Sequence, residues 1–103
     1  MSIEAWLAAR RPVPPPALAA RVGELIGRAV SDGSDAASTC LVAAVTALDR
    51  LVRERDAGRA SALDLLAIDA LVTYAFEAAA DVPESIDERA HDAMVSLSTV
   101  ANR

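Results

Sequence analysis

Lysine and glutamine are missing from the 103-residue chain, and all ten basic residues are arginine. With alanine the commonest residue, this reads as the coding bias of a GC-rich bacterial genome rather than as chemistry. Cysteine occurs once, at Cys40. A single thiol excludes an internal disulfide and any cysteine-based zinc cluster, and it points to a reducing, cytoplasmic setting. The four glycines are dispersed, so no phosphate-cradling loop is present. Aromatic residues are limited to Trp6, Tyr74 and Phe76. A core for this chain must therefore be built from Ala, Leu and Val, which suits closely packed helices better than a sheet.

Positive charge is scarce as well. The formal net charge is −5, and no basic cluster offers a footprint for phosphate backbones, so nucleic acid is not an expected partner. Residues 1–30 carry four Arg against two acids, whereas residues 61–103 carry two Arg against eight. No apolar run approaches the roughly 20 residues that span a bilayer. The start, "MSIEAWLAARRP", lacks the pattern of an export signal. A soluble protein without a membrane partner is expected. A chain of this length forms one domain around one core.

Periodicity gives an all-α reading: a four-helix bundle-like domain over 17–101, preceded by an N-terminal arm helix (1–11) and a proline-rich spacer (12–16). In the arm, Ser2 is placed to cap a short helix whose Ile3, Trp6 and Leu7 share a face. "RPVPPP" then enforces an extended segment. Pro12 and Pro15 have PxxP spacing, but Ala9 and Ala17 stand where an SH3 ligand would carry its Arg, so the run reads as a stiff spacer.

The second helix is expected from Pro16 to Val30, with Arg21, Glu24 and Arg28 spaced as ion pairs on its outer side. "SDGSD" breaks it, and Ser34 or Asp35 caps a third helix reaching Asp56. Gly58 is expected to close that helix, and Ser61 with Asp64 to open the next. Ser85 with Glu88 has capping-box spacing for the last helix, where Ile86, Ala90, Ala93, Met94, Leu97, Val100 and Ala101 form the apolar stripe.

The fourth helix, "ALDLLAIDALVTYAFEAAAD", reads as central, because Leu65, Leu66, Ile68, Leu71, Val72, Ala75, Phe76 and Ala79 occupy most of its circumference. Asp69, Thr73 and Glu77 form its one polar edge, across about 80° of arc. The two carboxylates lie about 12 Å apart along the axis, too far to share a metal or a proton unaided. Glu88 and His91 reproduce Glu-x-x-His once, whereas a di-metal bundle repeats it, and His91 falls on the solvent side of its helix among acids. Cys40 sits on an apolar stripe with no His in its segment, which is the setting of an inert buried thiol. No nucleophile or metal-ligand pattern supports catalysis, and no cofactor is implied.

Residues 62–78 resemble the helix of trans-isoprenyl diphosphate synthases that commonly reads A-x-L-A-G-D-A-L-L-x-x-A-F-E. Leu66, Ala67, Asp69, Ala70, Leu71, Ala75, Phe76 and Glu77 fall in register. Ile68 stands where that family usually has Gly, and the DDxxD-like motifs that hold magnesium diphosphate have no counterpart. The resemblance thus implies either a shared way of packing a helix or a remote, non-catalytic relative, and it transfers no active-site residue. Two functions follow as expectations. The first is a non-catalytic interaction module that forms a homo-oligomer, in the simplest case a dimer. Its contacts would come from Ile3, Trp6 and Leu7 of the arm and from the Asp69, Thr73, Glu77 edge, with Arg50 or Arg53 of a neighbour facing that edge. The second is a binder of a small apolar, prenyl-like ligand in a pocket beside Tyr74, Phe76 and Asp69.

Overall fold

Prolines and capping residues set where helices begin, and the computed structural model describes the result over residues 2–30, 35–55 and 58–102. Among the described residues the order is α1 (Ile3–Ala8), α2 (Pro16–Ala29), α3 (Ala36–Glu54), α4 (Arg59–Ala79), a 3-10 turn (Pro83–Ser85) and α5 (Ile86–Ala101), without a strand. The all-α, bundle-like reading holds.

Ser2 caps α1 by accepting from the Ala5 amide at 3.1 Å. Pro16 takes the first-turn position of α2, where its missing N–H costs nothing. Asp35 accepts from the Ser38 amide at 2.8 Å and so starts α3, while Ser34 lies outside the described residues.

Three boundaries differ from the sequence reading. Arg55, not Gly58, ends α3: it adopts a left-handed φ of 52°, and its amide closes the last turn on the Leu51 carbonyl. Gly58 instead precedes α4 as its N-cap. That helix starts at Arg59, so Ser61 is buried in its first turn rather than capping it, and Asp64 is drawn to Arg21 of α2. Ser85 does not cap α5, because it belongs to the 3-10 turn and has bridge-region backbone. Its hydroxyl donates to the Val82 carbonyl and accepts from Arg89.

The core lies where α2, α3 and α4 meet pairwise. Val22, Leu25 and Ile26 come from α2, Cys40, Ala43, Ala44 and Ala47 from α3, and Ala67, Ile68, Leu71 and Ala75 from α4. Ala44 and Ala67 are completely buried, so small side chains let α3 and α4 approach closely around Leu71. The arm folds back on this bundle, with Ile3 and Leu7 packed against the core.

α5 docks mainly on α3 rather than on α4. Of its expected stripe, Ala93 and Val100 are buried and Ile86, Ala90 and Leu97 half-buried, but Met94 and Ala101 face out. Because α5 does not cover α4, Leu65, Leu66 and Phe76 are not core residues as their spacing suggested. They remain 53, 58 and 45% exposed.

Asp35 also joins α3 to α5, since the Arg89 guanidinium donates to its carboxylate at 2.6 Å. The Arg89 bond, then the Ser38 amide, pull the Asp35 carboxyl from 3.8 down to about 2. A carboxyl depressed on folding adds stability that is complete above its unfolded pKa and is lost as pH falls from 3.8 toward about 2. Asp35 is more than half exposed, so solvent screening holds the effect to about 1 kcal/mol or less. Asp35→Asn retains a capping oxygen but no charge. It should flatten the fall in urea-unfolding stability that the native chain shows between about pH 4 and pH 2.

Candidate functional site

The polar edge of α4 is solvent-exposed in all three of its members, Asp69, Thr73 and Glu77. The Thr73 hydroxyl is satisfied within the helix, donating to the Asp69 carbonyl at 3.0 Å. Glu77 is approached by Arg10 of the arm at 3.8 Å, a loose and partly wet ion pair. The Asp69 carboxylate has no hydrogen bond or ion pair among the described residues. Leu65 and Phe76 lie beside Asp69 on the helix wheel, and Leu66 borders Thr73. The edge is therefore not a polar stripe on a buried helix. It is an amphipathic surface with three large apolar side chains around one unpaired carboxylate.

The arm sits on the neighbouring arc of α4. Trp6 is buried and meets Tyr74 edge-on, with ring centroids 6.2 Å apart. Arg10 closes over the indole at 4.2 Å while its Nε donates to the Trp6 carbonyl at 3.2 Å. Arg10 thus links the arm's only aromatic ring to the α4 edge, and the cation facing Glu77 comes from the same chain. Arg53 is occupied by Asp49 along α3.

Tyr74 and Phe76 face different clefts. Tyr74 lines a mostly apolar cleft of about 300 Å³ between the arm, the proline segment and α2, with Leu7, Val13, Pro14 and Val22 around it and Glu4 and Arg10 also lining it. Phe76 lines a groove of about 110 Å³ between α3, α4 and α5, together with Ala75, Arg89 and Asp92. Asp69 lines neither, so the single pocket expected beside these three residues divides into two.

A third, smaller groove of about 50 Å³ was not foreseen. It runs between α2 and α3 and is lined by Leu25, Ala29, Val42, Thr46, Arg28 and Arg50 among others. Neither Arg28 nor Arg50 has an ion pair among the described residues. The spacing of Arg21, Glu24 and Arg28 allowed Glu24 to serve either arginine. In the fold Arg21 takes both Glu24, at 2.8 Å, and Asp64. Arg28 is left over because Asp64 is remote in sequence, so no local signal marked it.

Two further candidates remain, His91 and Cys40. His91 is exposed on α5. Cys40 is completely buried, and that burial pushes its thiol up to about 11, away from the reactive thiolate. Among the described residues no group of three or more His, Cys, Asp or Glu is placed to hold a metal ion. No described helix is long and apolar enough to cross a membrane. Compared with family models, curated proteins and solved structures, the chain matches none of them.

Proposed function

We propose that the protein is a non-catalytic helical interaction module that self-associates through the outer face of α4. The observation that carries this reading is the half-exposure of Leu65, Leu66 and Phe76 together on its most apolar helix. Single exposed apolar residues are ordinary, but three on one helix face around a single unpaired carboxylate resemble the surface of an interface. The surface area supports it. The chain exposes 6497 Å², whereas a monomer of its mass is expected to expose about 5,500 Å². The excess of about 1,000 Å² is comparable to the ~800 Å² that each partner buries in a stable complex. Ile3 and Leu7 already pack on their own bundle and Trp6 is buried, so of the two contact surfaces expected from the sequence the α4 face is the one left uncovered. A cytoplasmic site of action suits the lone thiol.

Light scattering should give the native chain a mass of at least twice 10.7 kDa, and Leu66→Glu should return it to a monomer with unchanged helicity. A native chain that stays monomeric at millimolar concentration would sink the proposal.

A second reading, binding of a small apolar ligand, is favoured by the cleft between the arm and Tyr74. Within the stretch that resembles isoprenyl diphosphate synthases, Ala67, Leu71 and Ala75 are core residues, whereas Leu66, Asp69, Phe76 and Glu77 are exposed. The shared positions therefore do not surround one cavity. A prenyl alcohol that displaces no bound fluorescent lipid probe, and leaves Trp6 emission unaltered at saturation, would exclude this reading.

A further inference from the structure

We infer that copies of the chain associate head to tail, the outer face of α4 in one copy seating on the groove between α2 and α3 of the next, with Asp69 opposite Arg28 and Arg50. This rests on the self-association proposed above and specifies its geometry. Three observations carry it.

The first is charge. The α4 face presents Asp69 with no partner among the described residues, and the α2–α3 groove presents two cations, Arg28 and Arg50, also without one. The wider surfaces match: α4 and α5 carry two Arg against six acids, while α2 and α3 carry four Arg against three. A two-fold contact through α4 alone would set the acidic face against its own copy, in a chain of net charge −5. Like charges brought together at an interface oppose association, so complementary surfaces are favoured over identical ones.

The second is apolar surface. Val42 is 50% exposed on the groove and has no covering side chain from another helix large enough to bury it. It gives Leu65, Leu66 and Phe76 something to pack against in the groove that the two arginines also line. The Arg stems can add apolar contact while their guanidinium groups reach the carboxylate.

The third is placement. Because α2, α3 and α4 pack pairwise, a groove lined only by α2 and α3 lies across the bundle from the outer arc of α4. The two complementary surfaces are on opposite sides of one molecule. They cannot satisfy each other in a two-fold pair, and each added copy leaves one of each surface free. Such a contact builds rings or linear chains rather than a closed dimer.

The test uses two full-length variants. Leu66→Glu disables the α4 face and leaves the groove intact. Arg50→Glu disables the groove and leaves the face intact. Each alone should be monomeric at concentrations where the native chain associates, with association weakened roughly tenfold or more. Mixed one to one, they should form a species of two chains and nothing larger, because the only intact groove meets the only intact face. Arg28→Glu, at a more exposed position, should behave like Arg50→Glu, and circular dichroism identifies any variant that fails to fold. If the native chain associates but both arginine reversals leave its mass unchanged, or the mixed variants stay monomeric, the head-to-tail contact is overturned while self-association stands. A native chain that never associates overturns both.

Discussion

Leu71→Ala is expected to lower the unfolding free energy by about 4 kcal/mol, the upper part of the range for emptying a buried leucine site. Leu71 is completely buried at the meeting of α2, α3 and α4. What surrounds it decides the magnitude. Ala43, Ala44, Ala47, Ala67 and Ala75 supply much of the cluster, and an alanine methyl is fixed to its backbone. No rotamer change can move it into a vacated volume, so the cavity persists unless whole helices shift. A core containing longer, more adaptable side chains would collapse further and lose less. A loss of this size is a large share of the 5–15 kcal/mol typical of a domain. Urea unfolding followed by circular dichroism measures it. At concentrations where the chain is a monomer, Leu66→Ala, the same chemical change on the exposed arc of α4, should cost about 0.5 kcal/mol or less. Equal losses at the two positions would mean that the outer face of α4 is as buried in solution as the core.

The contrast between Leu71 and Leu66 also marks how far the sequence could be read. Helix number, order and most ends were legible because they depend on local chemistry. Pro16 and Asp35 act within a turn or two of the backbone they start, and "SDGSD" is read as a break on the same local grounds. The side of the helix that faces the core was legible for α2, where placing Arg21, Glu24 and Arg28 outward leaves Val22, Leu25 and Ile26 inward. It was not legible for α4, whose apolar residues fill most of the wheel, so periodicity gave no preferred direction. Which arcs of α4 are covered depends on where α1 and α5 dock, and that is settled between segments far apart in the chain. The same limit hid the groove: only the long-range pairing of Arg21 with Asp64 leaves Arg28 unpaired beside Arg50. The Asp69, Thr73, Glu77 edge was correctly singled out as a polar interruption. Its surroundings of exposed leucine and phenylalanine were not, because they were assigned to the core.

Trp6→Ala is expected to cost about 3 kcal/mol and to free the arm from the bundle. A helix of six residues has no stability of its own in water, so α1 persists only through what it packs against. Trp6 supplies its one buried anchor, through the edge-on contact with Tyr74 and the cover of Arg10. Without the indole, Arg10 loses its aromatic platform and its loose pair with Glu77 offers little to hold the arm. Trp6 is the only tryptophan in the chain, so its emission reports arm docking directly in variants that retain it. Tyr74→Ala should shift that emission to the red, while Glu77→Gln should barely move it. The consequence for assembly separates the two surfaces that sequence reasoning grouped together. If the α4 outer face is the contact between copies, Trp6→Ala lowers stability yet leaves the assembled mass intact at temperatures where the bundle is folded. A drop to the monomer mass in a folded Trp6→Ala protein would put the arm, with Ile3 and Leu7, into the interface after all.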